Sequence, residues 1–331
     1  METIKIDFVD FYPNFVKNNN ELYNALSKKF NLQISSSPDY IIYSCYGNEH
    51  LKYDCIKIFF TGENLVPDFN FCDYAIGFHF IDFEDRYLRL PLAVIRKPYA
   101  SLPDKKIDKE KALNRKFCNF VYSNQGNFNS IRNRFFHELL KYKHIDSGGR
   151  VLNNIGAPVK DKLAFIADYK FTIAIENSSV NGYVTEKIID PMSVNSVPIY
   201  WGSKSIDADF NTASFIVIKD DSDKAIQEAI EKIIFLDTHD DEYIKLLSQP
   251  WLKPGQYVNY EEVLCDFFGH IIEQPHKDAY RRALNGFNMR HVGRMIKLYE
   301  SVKNRTIDNE ISFREIMKLL LRKVKGKCPY K

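Results

Sequence analysis

Tyr183, Glu186 and Lys187 could together bind an anionic ligand, because they follow one another at i, i+3 and i+4. In a helix, this spacing places an aromatic ring, a carboxylate and an ammonium group on one face. The ammonium group would offset the charge of a phosphate, and a helix N-terminus nearby would add backbone N–H donors. The same pattern is also typical of a solvated helix surface, so it needs support from the rest of the chain.

The elements around these residues predict a βαβ unit. Two apolar runs, Phe171–Ile175 and Val197–Tyr200, have the length and composition of buried strands, and a polar loop follows the first. The intervening helix would be amphipathic, with a charged outer face from Tyr183 to Asp190. Its apolar side would consist of Val184, Ile188, Ile189 and Met192. Pro191 would kink or shorten this helix.

Polar residues and a second cation follow another predicted strand, Cys118–Tyr122. Ser123 and Asn124 lie at the end of this strand, and Arg132 lies in the first turn of a helix predicted over Ile131–Lys143. A pyrophosphate placed there would meet this guanidinium, the free N–H groups of the helix start and the ammonium group of the βαβ unit. The alternative is a surface arginine, which the helix dipole would slightly disfavour.

A carboxylate follows a predicted strand in the first part of the chain as well. The run Ile56–Phe60 predicts this strand, and the turn at Thr61 and Gly62 would carry Glu63 past the edge of the sheet. A carboxylate in this position can accept a proton from a hydroxyl group that acts as a nucleophile. Capping of nearby backbone groups is the alternative role for a turn carboxylate.

These residues belong to a longer series of motifs. The polar loop, the string Gly-Tyr-Val-Thr-Glu-Lys at 182–187 and the string Pro-Ile-Tyr-Trp-Gly-Ser at 198–203 resemble the donor-binding motif of the α1,3/4-fucosyltransferases, glycosyltransferase family 10. The likeness extends from about residue 59 to residue 215 and is greatest to the bacterial members. The blocks that carry it cover residues 60–64, 67–69, 73–78, 85–92, 120–124 and 131–133.

The resemblance implies an inverting transferase that moves fucose from GDP-fucose to N-acetylglucosamine of a lactosamine-type glycan. The linkage would be α1,3, or both α1,3 and α1,4, and the product on an oligosaccharide or glycolipid would be similar to a Lewis antigen. Glu63 corresponds to the proposed base of the family, and Glu186 would lie near the fucose ring as the partner of its oxocarbenium-like charge. A relative with another GDP-sugar or acceptor, or a protein that binds nucleotide or glycan without catalysis, remains open.

The same resemblance distributes the binding residues between donor and acceptor. Arg132 and Lys187 would bind the diphosphate of the donor. The other donor-binding residues would be Ser123, Asn124, Asn177 and Tyr183. His79 and Asp82 would contact the acceptor, unless they are a structural histidine and a carboxylate of a solvated loop.

The composition is that of an ordinary globular protein. The chain of 331 residues is 45% hydrophobic, which is enough for two domains with substantial cores. A net charge of +3 gives no indication of a nucleic-acid partner. The six cysteines lack CxxC spacing and are expected to be free thiols in a reducing compartment. No segment has the layout of a membrane span or a signal peptide, so a cytoplasmic location is expected.

No metal or other cofactor is expected to be required. The Asp-Ser-Asp string at 221–223 has the DxD spelling with which many glycosyltransferases hold manganese, but it directly precedes a predicted helix, Asp223–Phe235. Aspartates in that position cap a helix and complement its dipole. Arg132 and Lys187 would do the work of a metal ion, and divalent ions would at most be stimulatory.

The predicted fold is α/β, of the GT-B type, in which two Rossmann-like α/β/α domains face each other across a cleft, with helices at the C-terminus. Residues 1–100 would bind the acceptor, 101–116 would be a linker and 117–300 would bind GDP-fucose. Residues 301–331 would form a basic amphipathic tail, which either lies on the inner face of the cytoplasmic membrane or packs on the protein. The remaining predicted elements are strands Ile4–Phe8, Tyr40–Tyr43, Tyr74–Ile76 and Phe215–Ile218 and a helix at Asn20–Phe30.

Overall fold

The first part of the chain forms a six-stranded parallel sheet. The computed structural model describes residues 3–123, 130–283 and 287–306. The strands of this sheet are β1 Thr3–Val9, β2 Asn31–Ile34, β3 Tyr40–Tyr43, β4 Ile56–Phe60, β5 Tyr74–Gly77 and β6 Tyr87–Arg89. Their order in the described residues is β2-β1-β3-β4-β5-β6, so β1, β3 and β4 are direct neighbours.

The second part of the chain forms a five-stranded sheet. Its strands in the described residues are β7 Lys116–Phe120, β8 Ile145–Ser147, β9 Tyr169–Ile175, β10 Val197–Trp201 and β11 Ile216–Val217. Their order is β11-β10-β9-β7-β8. The paired strands are parallel in both sheets. The carboxyl ends of neighbouring strands therefore meet at the same edge, and residues that follow them lie side by side.

Helices cover the sheets and connect their strands. In the first part they are α1 Glu21–Leu26 and α2 Leu92–Ile95, and α3 Lys109–Leu113 follows them. In the second part they are α4 Ile131–Leu140, α5 Lys162–Ile166, α6 Glu186–Ser193, α7 Asp223–Thr238, α8 Asp240–Leu247, α9 Tyr260–Glu273, α10 His276–Ala279 and α11 Phe287–Thr306. This arrangement covers the central strands on both faces, and every residue of β3 and β4 is buried, including Lys57.

The predicted α/β architecture of the GT-B type is confirmed. The strands Tyr40–Tyr43 and Ile56–Phe60 have the predicted bounds, and the order strand, loop, helix, strand is observed for β9, α6 and β10. The sequence pattern does not predict β2, β6 and β8, which have only four, three and three residues. Each of them mixes polar and apolar residues in too few positions to establish a period, unlike the four-residue run YIIY of β3.

The stretch predicted as a linker contains regular structure. A 3-10 helix spans Lys97–Asp104, and α3 follows after the N-cap residue Asp108. Tyr99 and Leu102 of the 3-10 helix are each only 2% exposed. These two buried residues stand in an otherwise polar segment and are too few to produce a hydrophobic period. The sequence therefore indicates a linker there.

The last helices of the second part return to the first sheet. Helix α9 packs on α1, and the ring of Phe268 lies 5.9 Å from that of Tyr40. Arg282 donates a hydrogen bond to Asp73 at 3.0 Å. The predicted range 117–300 for the second domain thus includes residues that pack against the first sheet. The other domain bounds stay predictions.

The C-terminal tail and the cysteines can be compared only in part with the predictions. Residues 307–331, which include most of the predicted tail, lie outside the described residues. The described cysteines, at positions 45, 55, 72, 118 and 265, are free thiols. Among the described helices, none combines the length and the apolar character that crossing a bilayer requires.

Candidate active site

A cavity of about 470 Å³ lies between the two sheets. Residues that follow strands of both sheets line it, which places it at the carboxyl ends of the strands. Its volume is within the range of pockets that bind small ligands. The predicted site residues that line the cavity are Glu63, Ser123, Arg132, Asn177, Tyr183, Glu186 and Lys187. The structure therefore brings together most of the predicted donor residues and the predicted base.

Helix α6 begins at the cavity, later than the sequence pattern indicates. Thr185 is its N-cap residue, and the Thr185 hydroxyl accepts a hydrogen bond from the N–H of Lys187 at 3.4 Å. Tyr183 therefore precedes the helix, so its predicted place on the helical face is wrong. The loop nevertheless directs Tyr183 into the cavity that Glu186 and Lys187 line.

The charged side of α6 is largely covered by protein. Asp190 is 8% exposed and accepts a hydrogen bond of 2.6 Å from Lys162 of α5. The side chains of Glu186 and Lys187 are 33% and 14% exposed. The alternative of a solvated helix surface does not apply, because α5 packs against α6 and the cavity encloses its first turn. The helix ends two residues after Pro191, which confirms that it is short.

A buried carboxylate that the sequence pattern does not single out holds Lys187. The ammonium nitrogen lies 3.1 Å from Oε2 of Glu176 and 3.4 Å from Oε1 of Glu186. Glu176 is 2% exposed and accepts hydrogen bonds from the N–H and the hydroxyl of Thr185, at 2.8 and 2.9 Å. These contacts connect the end of β9 to the first turn of α6. Lys187 is therefore held in one position at the cavity wall.

Burial and pairing act in opposite directions on the charges of this cluster. Burial raises the pKa of Glu176, and the nearby ammonium group of Lys187 acts against that shift. Burial also disfavours the charged form of Lys187, but the carboxylates of Glu176 and Glu186 raise its pKa above the ordinary value. For Glu186, burial is outweighed by Lys187, which lowers the pKa. The cavity thus contains a charged ammonium group and an ionised Glu186 at neutral pH.

Arg132 lies in the first turn of α4, as predicted, and is 7% exposed. Its guanidinium group donates hydrogen bonds to the carbonyl of Ile175 at 3.1 Å and to Oδ1 of Asn177 at 2.8 Å. The guanidinium carbon lies 4.0 Å from the centre of the Tyr122 ring. These contacts fix the guanidinium plane between the ends of β7 and β9. A cation that is already oriented loses little conformational entropy when it binds an anion.

Glu63 enters the cavity wall from the first sheet. Its side chain is exposed, and its Oε1 accepts a hydrogen bond of 2.7 Å from the hydroxyl of Tyr46. Its backbone N–H donates to the hydroxyl of Thr61 at 3.1 Å. Burial and the bond to Glu63 raise the pKa of Tyr46, so the phenol remains protonated and orients the carboxylate at neutral pH.

The remaining predicted residues do not line this cavity or are outside the described residues. The His79 ring stacks on Phe78 at 3.9 Å, and burial lowers its pKa. Asp82 is exposed. His79 and Asp82 are not among the described residues of the cavity wall, and their role in binding the acceptor stays a prediction. The predicted donor residue Ser123 does line the cavity. Asn124 is not among the described residues.

The Asp-Ser-Asp string caps a helix, but through Ser222 and not through the aspartates to which the prediction assigns the cap. The hydroxyl of Ser222 accepts a hydrogen bond from the N–H of Ala225 at 3.1 Å, and Ser222 is the N-cap residue of α7. Asp223, in the first turn, forms an ion pair with Arg134. Over residues 3–123, 130–283 and 287–306, His, Cys, Asp and Glu side chains form no group of three or more that could hold a metal ion.

Two residues of the site escape sequence reasoning for different reasons. Glu176 directly follows β9, and Glu63 is predicted as a site residue because it follows β4. A position after a strand could therefore have identified Glu176 as a site residue as well. The contact of Tyr46 with Glu63 joins residues that follow β3 and β4, and no local pattern indicates it. When two side chains meet only because their strands pair, the sequence around either residue contains no pattern that predicts the contact.

Replacement of Glu176 by Gln is expected to weaken both the fold and anion binding. The amide retains the shape of the side chain but loses the charge that pairs with Lys187 and one of the acceptors for Thr185. We expect the free energy of unfolding to fall by about 3 kcal/mol, as for the removal of one partner from a buried pair. The dissociation constant for GDP should rise about tenfold, because Lys187 loses its position. Urea denaturation and calorimetric titration with GDP measure the two effects.

Glu228→Gln is the matched control for this variant. Glu228 lies on the exposed side of α7, where it pairs with Lys219 at 2.9 Å. We expect neither stability nor GDP binding to change in this control. Wild-type GDP affinity in a folded Glu176→Gln protein would contradict the positioning role of Glu176.

Two sequence profiles match most of the chain. Residues 6–95 match the N-terminal domain of the alpha-(1,3)-fucosyltransferase FucT. Residues 111–282 match the C-terminal part of glycosyltransferase family 10 (fucosyltransferase). Together these matches include all predicted site residues and, apart from the first three residues of β1, both sheets.

Similar proteins and solved structures agree with these profiles. An alpha-(1,3)-fucosyltransferase FucT from Helicobacter pylori is 36% identical over 302 residues, which cover 77% of this chain and 62% of that protein. The chain thus spans less than two thirds of the length of that relative. A crystal structure of an alpha1,3-fucosyltransferase superposes with a TM-score of 0.71 at 32% identity, over 82% of this chain and 90% of that one.

A second crystal structure provides a comparison with bound donor. It is an alpha1,3-fucosyltransferase with GDP-fucose, and it matches with a TM-score of 0.69 at 32% identity, over 82% of this chain and 91% of the other. Each match covers 82% of this chain, which is more than the residues of either sheet region alone, so the similarity includes parts of both sheets. The chain belongs to glycosyltransferase family 10, the fucosyltransferases.

Proposed function

We propose that this protein is an inverting fucosyltransferase that transfers fucose from GDP-fucose to an N-acetylglucosamine residue of a lactosamine-type glycan. The observation that carries the proposal is the composition of one cavity wall. Glu63 enters it from the first sheet, and Arg132 and Lys187 enter it from the second. A base and two cations on opposite sides of a cavity are what the displacement of a sugar from a diphosphate requires.

The donor would bind on the side of the second sheet. Arg132 and Lys187 would contact the diphosphate, whose negative charge increases as the glycosidic bond breaks. The dipole of α6 would add to this stabilisation, since a helix N-terminus favours an anion, although the N–H of Lys187 already donates to the Thr185 hydroxyl. Asn177 and Tyr183 would orient the donor between these cations.

The reaction would then proceed in one displacement. The acceptor hydroxyl oxygen attacks C1 of fucose and forms the new glycosidic bond, while the bond from C1 to the β-phosphate oxygen breaks and GDP leaves. The hydroxyl proton passes to the carboxylate of Glu63. Glu186, ionised at neutral pH, would stabilise the positive charge of the fucose ring in the transition state. Attack from the face opposite the nucleotide inverts the β-linked donor to an α-linked product.

Incubation with GDP-fucose and two lactosamine acceptors tests the proposal. In type 2 lactosamine the O3 of N-acetylglucosamine is free, whereas in type 1 the O4 is free. We expect GDP release that depends on the acceptor, and NMR analysis should show an α-linked fucose on N-acetylglucosamine. Release only with another GDP-sugar or acceptor would indicate a related transferase. GDP binding without release under all of these conditions would indicate a non-catalytic protein.

A further inference from the structure

Two large aromatic side chains, Tyr12 and Tyr46, stand exposed in the cavity next to Glu63. Their exposed fractions are 53% and 50%, although residues of this size are usually more buried. Their ring centres lie 6.3 Å apart, with the planes at 88°. We call this pair the aromatic wall. Exposed aromatic surface inside a cavity is typical of a ligand-binding site.

The aromatic wall and Glu63 occupy equivalent places on neighbouring strands. Tyr12, Tyr46 and Glu63 each lie three residues beyond the end of their strand, which are β1, β3 and β4. These strands are adjacent and parallel, so the three side chains form a row along one edge of the sheet. Glu63 is the last residue of this row, and its carboxylate accepts a hydrogen bond from the hydroxyl of Tyr46 at 2.7 Å.

The aromatic wall is held in place before any ligand binds. Asp10, at a φ of 59°, turns the chain after β1, and its carbonyl accepts a hydrogen bond from the N–H of Tyr46 at 2.9 Å. The Asp10 carboxylate also accepts from Nδ1 of His50 at 2.6 Å, which fastens the loop after β3. The Tyr12 ring packs edge-on against Phe15 at 5.5 Å. A preformed surface of this kind avoids the entropic cost of ordering on binding.

We propose that the aromatic wall binds a pyranose ring of the acceptor and directs its hydroxyl group to Glu63. The face of an aromatic ring carries partial negative charge, and the axial C–H groups of a hexopyranose carry partial positive charge on one face of the sugar. Stacking on Tyr12 buries this C–H face and leaves the hydroxyl groups at the rim of the ring. The hydroxyl nearest to Tyr46 then meets Glu63. The inference rests on the proposed transfer, because it names the part of the cavity that the acceptor occupies.

The aromatic wall is not suited to binding the diphosphate of the donor. Arg132 and Lys187, the cations assigned to the diphosphate, lie on the side of the second sheet, whereas the aromatic wall lies on the side of the first. Arg96, a cation of the cavity wall that belongs to the first part of the chain, pairs with Glu21 at 3.1 Å. A sugar without charge gains from apolar contact and from hydrogen bonds to a few polar groups, and the row of Tyr12, Tyr46 and Glu63 offers both. The wall therefore fits an uncharged hexose better than it fits the phosphate groups of the donor.

Variants of Tyr12 test the stacking role. We expect Tyr12→Ala to raise the KM for lactosamine about tenfold, with a dissociation constant for GDP within about twofold of the parent. Tyr12→Phe retains the ring and should keep the acceptor KM within about twofold. Phe235→Ala is the control, since Phe235 is 47% exposed on α7 and is not part of the described cavity wall. An unchanged acceptor KM in Tyr12→Ala would overturn the proposal, as would weaker GDP binding with an unchanged acceptor KM.

Variants of Tyr46 separate the ring from the hydroxyl group. Tyr46→Phe keeps the stacking surface but removes the hydrogen bond to Glu63, so kcat should fall several-fold while the acceptor KM stays near that of the parent. Tyr46→Ala removes both and should change both constants. Equal kinetics for the two variants would contradict the division of roles.

Direct binding distinguishes a failure of this inference from a failure of the proposed transfer. Saturation-transfer NMR reports contact between lactosamine and the protein in the presence of GDP, without any turnover. If the parent binds lactosamine but releases no GDP, the proposed transfer fails, and loss of the NMR signal in Tyr12→Ala still supports the aromatic wall. If the parent and Tyr12→Ala give equal signals, the wall is not the sugar site.

Discussion

Glu63→Gln is expected to lower the rate of fucose transfer by about 10³-fold while GDP binding stays near that of the parent. The amide keeps the size of the side chain and can still interact with the hydroxyl of Tyr46, but it cannot accept the proton of the acceptor. General bases contribute factors of about 10² to 10⁴ to enzymatic rates, which sets the size of the expected loss. GDP affinity should not change, because the cations of the donor side lie on the other sheet. Steady-state kinetics and calorimetric titration with GDP measure the two quantities.

Glu49→Gln serves as the control for this substitution. Glu49 belongs to the same half of the protein, and its exposed carboxylate pairs with Lys52 at 2.6 Å. We expect this variant to have parental activity. Full transfer activity in Glu63→Gln would show that another group accepts the proton.

Lys187→Ala is expected to weaken GDP binding by about 100-fold. The ammonium group is charged at neutral pH because two carboxylates, Glu176 and Glu186, overcome the effect of its burial. Hydrogen bonds that involve a charged group contribute about 1.5–3 kcal/mol each, and about 2.7 kcal/mol corresponds to a factor of 100 in affinity. Loss of the cation also removes the stabilisation of the leaving diphosphate, so kcat should fall as well. Titration with GDP and with GDP-fucose measures the first effect, and GDP release measures the second.

The stability of this variant has to be measured together with its affinity. Without Lys187, the buried carboxylate of Glu176 has no ammonium partner, and its pKa should rise further. Lys219→Ala is the control, because Lys219 is an exposed lysine on the same half of the chain. Parental GDP affinity in a folded Lys187→Ala protein would refute the assignment of this residue to the diphosphate.

The donor side of the site is predictable from sequence because its residues closely follow apolar strands. Asn177, Tyr183 and Lys187 lie in one βαβ unit, and Ser123 and Arg132 follow β7. The apolar runs of β9 and β10 identify the strands, and the residues between them must then lie at the carboxyl edge. Contacts within the unit are less predictable. Burial of Glu176 depends on how the loop after β9 folds over the start of α6, and the covered side of α6 depends on the position of α5.

The acceptor side is less accessible to sequence reasoning. Tyr12, Tyr46 and Glu63 are separated by 34 and 17 positions in the chain and become neighbours only through the strand order β1-β3-β4. That order cannot be derived from periodicity, which reports on one segment at a time. His79 and Asp82 lie in a segment that resembles the family, but they follow β5, one strand farther along the sheet than Glu63.

The return of α9 to the first sheet limits how halves of related transferases can be exchanged. A chimera with a single junction in the segment between the sheets would combine the α1 of one parent with the α9 of the other. Lys28 and Glu261, which pair at 2.6 Å across this boundary, and the contact of Arg282 with Asp73 would then come from different parents. A functional exchange of donor specificity therefore requires two junctions, the second before Tyr260, so that the final helices remain with the sheet on which they pack.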